Sequence, residues 1–160
     1  MVFSDWDASV ILPWTLGESL RLGVSCRQSD WQLSSLTQLC NSSFPQALIP
    51  AVERLYIVDE RYAHWQDDVE SSQWLELLHP FTAVQGLYMY QEFVPRIAPA
   101  LQELVGERVT EVLPALQTLF LEVALLSGPV GESIKRFVNA RQLAGHPIAL
   151  SRWKTQPSDR

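Results

Sequence analysis

Few side chains in this sequence combine the type and the spacing that catalysis demands. His64, Asp67 and Asp68 bring an imidazole and two carboxylates into one stretch. These are metal-donor types, but their spacing follows no ligand motif, so neither a metal nor a cofactor is expected. A thiol nucleophile made from Cys26 or Cys40 would need a histidine brought from a distance, and nothing local points to a lowered thiol pKa. Cys40 also falls on an apolar helical face, where a free cysteine behaves as a small hydrophobe. No serine sits in a G-x-S-x-G elbow. His79 and His146 each precede a proline at a helix end, where an imidazolium suits the helix dipole. No catalytic residue is assigned, and the chain is not read as an enzyme.

The chemistry that remains is recognition. Tyr56, Tyr88 and Phe120 occupy the same place in three copies of one phrase, apolar-x-x-Leu-aromatic-aliphatic, at 52–57, 84–89 and 116–121. Leu55 to Leu87 is 32 residues, and Leu87 to Leu119 is again 32. Each copy follows a proline: Pro50, Pro80 and Pro114. Weaker copies flank them, around Leu20 upstream and Ile148 downstream. Side chains alternate between faces of a strand, so the leucines point one way and the aromatics the other. The three aromatics are expected to form a ladder on adjacent parallel strands, continued by Arg21 before and Ala149 after. Arg54, Val58, Tyr90 and Glu122 flank it, with Arg152 extending the row. Tyr and Arg are enriched in binding hot spots. Arg21, Arg54, Tyr56, Tyr88, Tyr90, Phe120 and Glu122 are therefore the candidate partner-binding residues. Asp59, Glu60, Asp67, Asp68 and Glu92 fall at or after strand ends, as an acidic rim that would attract a basic segment. The bland alternatives are aromatics that merely suit strands and carboxylates in solvated loops, with Asp67, Asp68 or Ser71 capping a helix.

The elements that position these residues alternate. Strands are expected near 19–25, 53–59, 85–91, 117–123 and 147–152. Helical spacing connects them: Leu33, Leu36, Leu39 and Cys40; Trp74, Leu75 and Leu78; Ile97, Leu101, Leu104 and Val105; and Val130, Ile134, Phe137, Val138 and Arg141. Ser29 and Gln32 have the spacing of a capping box. Pro95 opens the third helix, whose first turn is the place for Pro99. Pro129 opens the fourth helix and Gly145 ends it. One strand and one helix per ~30 residues cannot bury their apolar faces alone, but stacked units can. The reading is an α/β fold: an irregular leucine-rich-repeat-like solenoid with parallel strands on one face and helices on the other. Residues 1–16 form an N-terminal segment or cap, 17–153 the repeat domain and 154–160 a flexible tail. The competing architecture is a doubly wound sheet, a small enzyme with a site near Asp59, Glu60 and Glu92. Its central strands should be apolar on both faces, whereas Arg21, Arg54, Gln85 and Glu122 stand among the aromatics here. No phosphate-binding glycine motif follows any strand.

The chain has 160 residues, 12 basic against 18 acidic, and a net charge of -6. Length gives one domain, and 47% hydrophobic residues suffice for a core. The charge has the wrong sign for a phosphate-tracking nucleic-acid binder, and no apolar stretch approaches the ~20 residues of a membrane helix. The N-terminus shows no secretory pattern. Two reduced thiols then place the protein in the cytoplasm or nucleus. Trp6, Trp14 and Trp153 are placed to cover the ends of the repeat array; ends left uncovered would favour self-association.

Whole phrases of this sequence also resemble the C-terminal region of fungal F-box proteins: SDWQLSSL at 29–36, LLHPFTAV at 77–84, IAPALQELV at 97–105 and FVNARQLAGHP at 137–147. The likeness runs from about Leu20 to Trp153. In that family an F-box motif docks on a ubiquitin-ligase adaptor and the repeats choose the partner. No F-box is found here, since Leu12-Pro13 leads straight into the first expected strand. The resemblance thus implies a substrate-recognition repeat module for an unknown protein, without adaptor docking. The F-box may lie in a longer ancestor, or the chain is a remnant without function.

Overall fold

The structure, a computed structural model, describes residues 19–21, 32–42, 48–57, 70–121 and 127–152. Five short strands, β1 (Ser19–Arg21), β2 (Arg54–Ile57), β3 (Gly86–Met89), β4 (Thr118–Leu121) and β5 (Ala149–Arg152), form one sheet in sequential order. Every neighbouring pair is parallel. Parallel neighbours require a crossover. Between β1 and β2 lies α1 (Gln32–Ser42), between β2 and β3 α2 (Ser71–Leu78), between β3 and β4 α3 (Val94–Gln102), and between β4 and β5 α4 (Gly128–Leu143). The fold is α/β. Its strand order never reverses, so the described sheet lacks the crevice at which doubly wound sheets hold ligands.

The 32-residue spacing becomes the register. Leu20, Leu55, Leu87, Leu119 and Leu150 stand side by side across the sheet. Leu55, Leu87 and Leu119 are buried, and they share one core with Trp74, Leu78, Ile97, Leu101, Ile134 and Phe137 from the helices. The helix layer packs in chain order, α1 on α2, α2 on α3 and α3 on α4. Trp74 meets Phe93 edge-on at 6.0 Å inside this core.

Helix ends follow local chemistry. Pro129 lies in the first turn of α4, where its missing N–H costs no helical bond. At the other end Gly145 adopts φ +80°, and the His146 N–H donates back to the Arg141 carbonyl at 2.9 Å. That six-to-one closure needs a left-handed residue, which glycine supplies without strain. The N-cap of α2 is Glu70; Ser71 is already helical, and the Ser72 hydroxyl donates to the Glu70 carboxylate instead. Ser29, Asp67 and Asp68 lie outside the described residues.

Three expectations are corrected. Pro99 is in the interior of α3, past its first turn. It is tolerated because its ring faces solvent while Ile97, Ala98, Ala100 and Leu101 are buried around it. In β5 the partner of Leu119 is Leu150, not Ile148, and the residue that continues the ladder beyond Phe120 is Ser151, not Ala149. Arg152 consequently aligns with Leu121 and not with the outward row. Finally, Gly86 rather than Gln85 shares a face with Tyr88, because Gln85 precedes β3 and has the parity of Leu87.

Cys40 is buried on α1, and that burial pushes its thiol up to about 11 from 9.0. The neutral thiol is favoured in the folded state. Its contribution to stability is whole below pH 9.0 and is lost as pH rises towards about 11. In a Cys26→Ser variant at about pH 8, a thiol reagent is expected to label the native protein roughly 100-fold more slowly than the denatured chain. Equal rates would place Cys40 at the surface.

Candidate functional site

The site is built by strands whose two faces differ. On the face opposite the leucines, β2 to β4 place Tyr56, Tyr88 and Phe120 directly beside one another. Their rings stack with centroids 4.2 Å apart and planes 14° apart for Tyr56 and Tyr88, and 4.0 Å and 3° for Tyr88 and Phe120. Parallel strands in register hold identical rotamers at about the strand spacing, which is why the rings are nearly coplanar in orientation. All three are half-buried. Burial, and then the neighbouring Tyr88 hydroxyl that hydrogen-bonds it, raises the Tyr56 phenol above its ordinary pKa, while Arg54 pulls the other way.

The remaining candidates distribute unevenly. Arg54 is exposed at the start of β2, on the same face as Tyr56. Arg21 takes the register position beside Tyr56 on β1. Tyr90 lies past the end of β3, partly buried and packed against the core, so it is not part of the open row. Glu92 is half-buried in the turn between β3 and α3. Val58, Asp59, Glu60, Asp67, Asp68 and Glu122, and with them most of the acidic rim, lie outside the described residues, as does His64. Among the described residues no group of three or more His, Cys, Asp or Glu side chains could hold a metal ion, and no helix is long and apolar enough to cross a membrane.

Two features escaped the sequence reading. One is Gly86, which leaves room on the aromatic face: a Cβ there would lie 3.2 Å from Tyr88 Cε2 and 3.4 Å from Phe120 Cε2. The glycine thus lets the rings lean back over the sheet. Its signal was a lone glycine inside a strand pattern, which marks a close approach. The other is Arg141, which the helical spacing placed on the apolar face of α4 without a partner. Its guanidinium is wholly buried and reaches four main-chain carbonyls: Val109 at 3.0 Å, Leu113 and Pro114 at 3.3 Å, and Leu116 at 3.2 Å. Burial lowers its pKa from the usual guanidinium value. Leu113, just before Pro114, has φ +52°, a conformation costly for a side-chain-bearing residue. Arg141 holds this turn, which delivers the chain into β4 and so aims Phe120.

A cleft of about 310 Å³ also opens between the ends of α1 and α2 and the 108–112 segment. Two of its charged groups are committed to each other, Arg108 Nε donating to Glu111 at 2.7 Å, and it gathers no reactive set. The chain matches no protein-family model, no curated protein and no solved structure.

Proposed function

We propose that this chain is a protein-recognition module: an irregular leucine-rich-repeat-like solenoid that takes a partner protein on its strand face. This is the role of the substrate-choosing repeats in the F-box family that its phrases resemble, and it suits a cytoplasmic or nuclear protein. One observation carries the reading. Tyr56, Tyr88 and Phe120 form a continuous stack that stays half-exposed, while the leucine preceding each of them is buried. Stacked aromatics on a rigid sheet lose little conformational freedom on binding, which is what makes such residues anchors.

The test is capture from the source cell extract by the wild-type protein and by Tyr56→Ala/Tyr88→Ala, with folding followed by circular dichroism. Each lost stack costs about 0.5–1.5 kcal/mol, so the double variant is expected to remain folded with a lowered melting temperature. A partner held by wild type and lost from the folded variant is the expected outcome. Equal capture by both proteins would remove the ladder from the function, and unfolding of Tyr88→Ala alone would make the ladder part of the core.

A further inference from the structure

The aromatic stack differs chemically along its length. The Tyr88 ring leans back along β3, so that its hydroxyl oxygen comes 3.8 Å from where a Gly86 side chain would begin. That hydroxyl therefore lies over the row formed by Arg54, Gly86 and Thr118, which are register neighbours. The Tyr56 hydroxyl is hydrogen-bonded to Tyr88 and within electrostatic reach of Arg54. A bond between two hydroxyls uses one of their two hydrogens, so the pair as a unit remains a donor. Beyond Phe120 the face changes character: Ala149 and Ser151 are small, exposed and uncharged.

Charge points the same way. On the described outward positions of β2 to β5 (Arg54, Tyr56, Gly86, Tyr88, Thr118, Phe120, Ala149 and Ser151) the one ionised group is cationic, in a chain of net charge -6. Such a patch selects a negative partner group, and one guanidinium matches one carboxylate better than a doubly charged phosphate. The two stacking steps span about 8 Å, and an extended chain advances about 3.3 Å per residue.

We infer that this face docks an extended acidic segment of the partner, one Glu or Asp carboxylate being received by Arg54 and the Tyr56 and Tyr88 hydroxyls over Gly86, and an apolar side chain about three residues away resting on Phe120 and Ala149. The inference deepens the partner-binding reading and rests on it.

The experiment is an NMR titration of the intact protein with a blocked peptide of sequence glutamate–alanine–alanine–leucine, and with its glutamine counterpart. The glutamate peptide is expected to shift the ring resonances of Tyr56, Tyr88 and Phe120 saturably in the millimolar range. The glutamine peptide should bind roughly tenfold more weakly, the size expected for hydrogen bonds to a charged group. Arg54→Gln, an exposed substitution that leaves the fold intact, should erase that difference. Equal titration by both peptides overturns the acidic preference while leaving the face a binding surface. Shifts that are absent, or that map away from the ladder, overturn the docking mode, and the capture comparison above then decides separately whether the face binds protein at all.

Discussion

Arg141→Met is expected to lower the unfolding free energy by about 3–5 kcal/mol, the range for stripping a buried charged group of its partnership. Methionine keeps the length and apolar character of the arginine stem, so packing changes little. What disappears is the set of donors to four carbonyls. The Leu113 carbonyl also accepts the Leu116 N–H at 3.0 Å, so it keeps a partner. Val109, Pro114 and Leu116 lose theirs, at about 1–3 kcal/mol for each buried acceptor left unpaired. Relief of the desolvation of the guanidinium, whose Nε is buried without a partner, offsets part of the total. Arg141→Lys retains the charge but offers three donors from a single point, and is expected to recover less than half of the loss. Chemical denaturation gives the answer directly: a loss below about 1 kcal/mol for Arg141→Met, the net worth of one ordinary hydrogen bond, would show that the turn over 109–116 holds without its clamp.

The second large effect belongs to the leucine row. Leu119→Ala should cost about 3–5 kcal/mol, the upper part of the range for truncating a fully enclosed leucine. Its position is central in the register, between Leu87 and Leu150, and no part of it reaches solvent. Leu150→Ala is its internal control. Leu150 occupies the same row but is 40% exposed, so little apolar area returns to water and the loss should stay under about 1 kcal/mol. The pair of urea midpoints separates membership of the repeat from membership of the core. Equal losses would contradict the position of β5 at the edge.

What the sequence made legible was whatever repeats. Three phrases at a spacing of 32 residues announced which leucines and which aromatics would be neighbours, because parallel strands that follow one another in order turn a constant sequence interval into a constant spatial one. The fifth strand was read two residues out of frame. Ile148 and Leu150 are both aliphatic and share the same parity, and a period of two cannot choose between them; the hydrogen-bonded ladder does, through Leu119 and Leu150. Pro99 was assigned by its missing N–H alone, whereas its solvent-facing place on a short helix makes that loss bearable. For Arg141 the helical spacing gave the face but not the partners. The carbonyls it meets belong to a non-periodic connection 25 to 32 residues away, and no pattern in side chains foretells where main-chain oxygens converge. Gly86 carried its meaning in what it lacks, and only the leaning rings of Tyr88 and Phe120 define that meaning.

The sequential strand order has a consequence for how the molecule comes apart. Every described strand pairs only with the segments just before and after it, so no strand threads between two others that must form first. Loss of β5, whose four residues are all exposed, would break one ladder and leave β2, β3 and β4 paired. Amide hydrogens in β3 and β4, near the middle of the row, exchange only through wide opening, while those of β5 exchange through fraying at the border. Protection is thus graded from the centre of the sheet outward, and the Tyr88 rung stands on its slowest-opening part.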